Sequence, residues 1–201
     1  RDAGHEEDVD IDIALDNGTR LLGRVGAVGP RELRRMRPGP LRLTHLLPWW
    51  LAWLAVVASG RAVDLRVAGT GDGEADERVA HLDARQARNH LQAAIDHYRR
   101  GHCAPLLFEP YIAEHYLDQR AKTSRATGAP KTPDEALDST NGWLSNTWQP
   151  PHPVGDPWLQ PLFGPSPLPL GPDAEQSAFV PVVEAVARPI REHLVAPGAD
   201  T

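Results

Sequence analysis

Asp64-Leu65-Arg66 is the nearest this chain comes to a metal-dependent phosphodiesterase centre. Such chemistry needs two acidic ligands holding a hard cation beside the scissile phosphate, with a lysine nearby to help the nucleophile. No Asp-x-Lys or Glu-x-Lys occurs anywhere in the sequence. Arg66 is no substitute, because a guanidinium does not readily give up a proton. Asp8, Asp10, Asp12 and Asp16 look like chelators, but they alternate with Val9, Ile11, Ile13 and Leu15. A period of two puts them on the pleat face opposite the core, so a solvated acidic face is expected.

Other searches for chemistry return nothing. The sequence holds no Walker-type loop, no G-x-S-x-G elbow and no H-E-x-x-H motif. Its nine histidines are scattered, without the spacing of a metal site. Gly69-Thr70-Gly71-Asp72-Gly73 does not open directly into a helix, so it reads as an acidic loop, not a phosphate cradle. Arg31, Arg34, Arg35 and Arg37 are the candidates for DNA phosphate contact; a solvated face, or a salt-bridge partner for the acidic amino terminus, fits them equally well.

The net charge of −6 argues against strong nucleic-acid binding by this piece alone, since phosphate neutralisation dominates that affinity. The single cysteine, Cys103, excludes an internal disulfide and a cysteine-based zinc cluster, and fits a reducing compartment. The most apolar run, Leu46 to Ala58, contains Pro48 and is too short for a membrane span, which needs ~20 residues. These features predict a cytoplasmic protein. The chain opens on Arg1, and is expected to be a fragment of something longer.

Several elements can be placed. The alternating amino terminus, Asp16-Asn17-Gly18 and Leu21 to Val28 predict a β-hairpin. A helix is expected from Pro48, with Trp49, Trp50, Trp53, Leu54 and Val57 at helical spacing. Ala62 to Ala68 is a strand candidate, Gly69 to Glu77 an acidic loop, and Ala84 to Arg100 a long helix capped by Asp83. A shorter helix follows from Tyr111 to about Lys122. Residues 123–173 are rich in Pro, Gly, Ser and Thr and are expected to meander. A last helix is expected over 177–194, with Pro181 in its first turn and Pro189 kinking it.

This order of elements resembles the PD-(D/E)xK nuclease core, a small mixed sheet flanked by helices, and predicts an α/β fold. A divergent Mg-dependent DNA nuclease using Asp64 is the enzyme alternative. A more specific resemblance lies in Leu21-Leu22-Gly23-Arg24-Val25, in Leu51-Ala52-Trp53-Leu54-Ala55 ending at Ala58-Ser59-Gly60, and in Tyr98-Arg99-Arg100-Gly101 followed by Pro105-Leu106. With Arg188-Pro189-Ile190 these resemble the C-terminal region of the RecC family, the gamma subunit of exodeoxyribonuclease V.

The resemblance implies a nuclease-like fold that has lost its catalytic residues. It implies one domain over 1–201, with a core at 9–122, an irregular segment at 123–173 and the final helix. It also implies a non-catalytic scaffold in double-strand break repair by recombination. Such a scaffold binds RecB-like and RecD-like partners, guides unwound strands and shares in the Chi response. No cofactor is expected in this chain; ATP and Mg belong to the partner subunits. Trp148 and Trp158 become candidate interface residues, although pinning down a long loop would explain them as well.

Overall fold

The computed structural model describes residues 5–71, 74–104, 106–145 and 170–198. The chain divides into two compact units, one built from residues 1–96 and 189–201 and the other from residues 97–188.

In the first unit, β1 (Glu7–Ala14) and β2 (Arg20–Val28) form the expected antiparallel hairpin. Val9, Ile11, Ile13 and Leu15 are buried and the intervening aspartates exposed, as a period of two requires. Asp10 meets Arg24 at 2.7 Å and Asp12 meets Arg20 in a two-bonded pair, so the acidic face is held by cross-strand ion pairs. The turn closes through Leu15 N–H to the Thr19 carbonyl (2.8 Å), with Gly18 at φ 77° taking the left-handed position that glycine adopts most readily. Ala27, at φ 55°, sits where the register slips between Glu7 and Val9, the backbone signature of a bulge.

β3 (Glu32–Met36) then pairs in parallel with β4 (Asp64–Gly71), and α1 (Leu43–Ala58) is the crossover between them. β5 (Glu74–Ala80) adds antiparallel to β4, giving a mixed sheet of order β3-β4-β5. The structure is therefore α/β with small sheets and accompanying helices, as expected. One expectation is corrected here: among its described residues, the expected acidic loop Gly69–Glu77 is the end of β4 and the start of β5. Arg34 and Arg35 of the arginine cluster lie on β3, with Arg31 and Arg37 flanking it. Three of the five residues of β3 and four of the seven of β5 are charged; they pair because an edge strand asks little hydrophobicity of its side chains.

Helix α1 begins at Leu43, one and a half turns before Pro48, which is thus interior and not at the first position. Burial of Leu43 and Leu46 drives that early start, and the proline forfeits only its own bond to the Thr44 carbonyl. Trp50 and Trp53 are fully buried, and the Trp53 indole N–H donates to the Val63 carbonyl at 2.7 Å.

Trp50 also supports two imidazoles. His193 lies parallel to its ring (13°, centroids 6.1 Å apart), and His90 stands edge-on to His193 at 5.4 Å. Burial, reinforced by the neighbouring His193, holds the His90 pKa below the usual histidine value, against a smaller opposing pull from Glu192. The unfolded chain therefore takes up this proton more readily than the folded one. Stability contributed by neutral His90 is present above about pH 6.5 and is lost as pH falls through that value. Melting temperature should drop between pH 7.5 and 5.5, and His90→Gln should flatten that slope; an unchanged slope would refute the assignment.

α2 (Ala84–Gly101) follows, opened by Asp83, whose carboxylate accepts from the Gln86 N–H while Gln86 answers to the Asp83 N–H.

The second unit holds α3 (Pro110–Ala121) and α4 (Pro133–Leu144). α4 corrects the expectation of a meander across 123–173. Thr132 and Glu135 form a reciprocal capping box with Pro133 at the first position, which starts a helix despite the polar composition. The final helix starts later than 177. It comprises α5 (Val180–Val182), a π-helical turn (Val183–Ala187) and α6 (Arg188–His193). The Arg188 N–H bonds to the Val183 carbonyl, and this wider turn accommodates Pro189, where a kink was expected. Ser177 caps the segment through its hydroxyl, 3.2 Å from the N–H groups of Phe179 and Val180.

Candidate functional site: the charged face of the mixed sheet

Parallel register sets Glu32, Arg34 and Met36 beside Asp64, Arg66 and Ala68 on one face, while Leu33, Leu65, Val67 and Ala80 face the core. On the charged face Arg66 donates to Glu32 at 2.8 Å and to Glu77 at 2.5 Å, and Arg34 pairs with the same Glu32. Burial raises the Glu32 pKa, but the bonds from Arg66 and Arg34 outweigh it and hold the carboxyl below its ordinary range. The arrangement is a ladder of two guanidinium and two carboxylate groups whose charges cancel.

Asp64, the candidate metal ligand, sits at the start of β4 and is met by His81 Nδ1 at 2.6 Å. An ionised carboxylate can only accept, so the imidazole carries its proton on Nδ1. Its register neighbour Glu32 is already bound by two arginines. Among the described residues no group of three His, Cys, Asp or Glu could hold a metal ion. These surroundings do not favour the nuclease alternative.

The four arginines of the cluster point in different directions. Arg31 is exposed just before β3, and its carbonyl accepts from Asp64 N–H at 2.9 Å. Arg34 faces outward within the ladder. Arg35 is on the core side, half-buried, donating to the Gly26 carbonyl at 3.0 Å. Arg37 pairs with His45 and donates to the Pro38 carbonyl. Strand alternation splits neighbours in sequence between two faces, so four arginines in seven residues do not make one continuous patch. Trp148 and Trp158 lie outside the described residues. Sequence reasoning missed His81, Glu32 and Glu77 as partners of Asp64 and Arg66. The signal available was the edge pairing itself, visible only once β3 and β5 are recognised as strands.

The family model for the RecC C-terminal domain matches residues 1–121, from β1 through α3. This chain belongs to the RecC C-terminal domain family. Over 104 residues it is 36% identical to the RecBCD enzyme subunit RecC of Escherichia coli strain K12, a match covering 52% of this chain and 9% of that protein. The chain thus corresponds to a small part of that relative's length. The RecC-type match takes in the whole mixed sheet, the charged ladder and Asp64–His81; α4 and the terminal helical segment lie beyond it. No helix among the described residues is long and apolar enough to cross a membrane.

Proposed function

We propose that this chain is a non-catalytic part of a RecC-like subunit in a RecBCD-type helicase–nuclease, exodeoxyribonuclease V. There it scaffolds the helicase subunits and guides DNA strands, including the Chi response, in recombinational repair of double-strand breaks. The observation that carries the reading is the RecC C-terminal domain match over residues 1–121.

Two features support a nuclease-shaped core without nuclease chemistry. The β3-α1-β4-β5-α2 order suits a PD-(D/E)xK-like sheet. The strand position where such an enzyme would carry lysine holds Arg66, tied into ion pairs with Glu32 and Glu77. In this reading the partners are a RecB-like helicase–nuclease and a RecD-like helicase, which use ATP and Mg, and the location is the cytoplasm. Arg31, Arg34, Arg35 and Arg37 remain the proposed phosphate contacts. Exposed Arg31 is the best presented, and Arg35, facing inward, the least. Trp148 and Trp158 remain proposed partner contacts.

The test is co-purification of the tagged chain with the RecB-like subunit of the same organism. Stable one-to-one recovery in moderate salt is expected. Failure, with the chain shown to be folded by circular dichroism, would refute a scaffolding role for this region.

A further inference from the structure

The end of the chain docks on the first unit through a short segment. After the six-residue helix α6, Val195 reaches the outer edge of β5, where it exchanges two backbone hydrogen bonds with Val79, at 2.8 and 3.1 Å. So short a helix does not hold itself in water, and packing must keep it in place. Pro189, Ile190 and Leu194 are buried and supply part of that packing. The remainder is the ring stack on Trp50, in which His193 of α6 lies parallel to the indole and His90 of α2 stands edge-on to His193.

The stack differs from the apolar contacts in how it answers to a proton. Both imidazoles are half-buried, and among the described residues neither has a hydrogen-bond partner, so a charge on either ring loses water without gaining an acceptor. Helix α1 offers no charged side chain between Leu43 and Ala58 apart from His45 in its first turn. Arg88, on the same helix as His90, is turned to the Ala14 and Ala58 carbonyls. On α6, Glu192 favours a proton on His90, but burial and the neighbouring His193 outweigh it. The Trp50 ring can support one positive imidazole. A second, with its centroid 5.4 Å from the first, is repelled by it.

We propose that this stack is an acid-released latch: protonation of His90 against His193 frees residues 189–198 from α1, α2 and the β5 edge while the rest of the first unit stays folded. Once released, His90 regains water, so the open form takes up the proton more readily than the closed one. The latch is therefore closed above about pH 6.5 and opens as pH falls below that value. Opening leaves the Val79 N–H and carbonyl without their partners and uncovers one side of Trp50. None of this depends on assembly with the helicase subunits.

The experiment is hydrogen exchange of the chain between pH 7.5 and 5.0, with each rate divided by its intrinsic amide value. Protection of the Val79 and Val195 amides should fall by roughly threefold or more relative to that of Trp53 and Leu54 in α1. His90→Gln, which cannot take the proton, should hold that ratio constant across the range, and His193→Gln should reduce its change. Equal losses at the bridge and in α1 would mean that the whole unit opens, and would overturn the inference. A ratio that changes in His90→Gln as it does in the parent would overturn it too. The first comparison is made within the parent chain, so it decides the matter even if a variant fails to dock its terminal segment.

Discussion

Replacing Trp53 by alanine is expected to cost about 3–5 kcal/mol of folding stability, the range for deleting a fully buried indole. The site has no access to water, and the side chain fills the centre of α1 against Trp50, 5.0 Å away between ring centroids. The substitution also strands the Val63 carbonyl, which loses its only described side-chain donor. Trp53→Phe separates the two contributions: most of the packing survives and the hydrogen bond does not, so a loss of about 1–3 kcal/mol is expected. Urea denaturation followed by far-ultraviolet circular dichroism reads both. A Trp53→Ala midpoint equal to that of the parent would mean that α1 is not the centre of this core.

The second large effect is at Glu184, which the π-helical turn presents to three donors. The Tyr116 hydroxyl donates at 3.0 Å, Arg120 at 3.4 Å and Arg188 at 2.7 Å. Glu184→Ala should cost about 2–3 kcal/mol, because two guanidinium groups and a phenol lose one charged acceptor together. The same cluster has an alkaline signature. Burial, then the charge and hydrogen bond of Glu184, hold the Tyr116 phenol well above the usual tyrosine range. The folded state therefore keeps a proton that the unfolded chain releases. Its contribution to stability is complete below about pH 10 and is lost as pH rises beyond that. Phenolate absorbance should show one late-titrating tyrosine, and Glu184→Gln should bring it earlier. A Tyr116 that titrates with the exposed tyrosines would contradict the described bond.

Legibility tracked the physics that builds each element. β1 was readable because one of its faces is buried and the other wet, so alternation is written directly into Val9-Asp10-Ile11-Asp12-Ile13. β3 and β5 were not, because they lie at sheet edges: Leu33 and Val79 are the only large apolar side chains they commit to the core. Pro48 misled because proline at a first turn and proline inside a helix look alike until Leu43 and Leu46 are seen to be buried. The α4 start was available in Thr132-Pro133-Asp134-Glu135, a capping box hidden within a polar composition. At the site, Asp64 and Arg66 do lie on a strand, as read. Their partners His81, Glu32 and Glu77 come from other strands, and cross-strand register is not a property of any one segment.

Val195 on the β5 edge has a consequence for the order in which the molecule can be built. The first unit takes its opening residues from the start of the chain and its last from residues 189–201, so its contacts span nearly the full length. During synthesis the sheet waits with Val79 unbridged and Trp50 without His193 while the whole of residues 97–188 emerges. Closing so long a loop is slow relative to the local pairing of α3 with α4. The unit that begins first on the ribosome is thus completed last, and in the interval its half-made sheet edge is open to whichever strand arrives first.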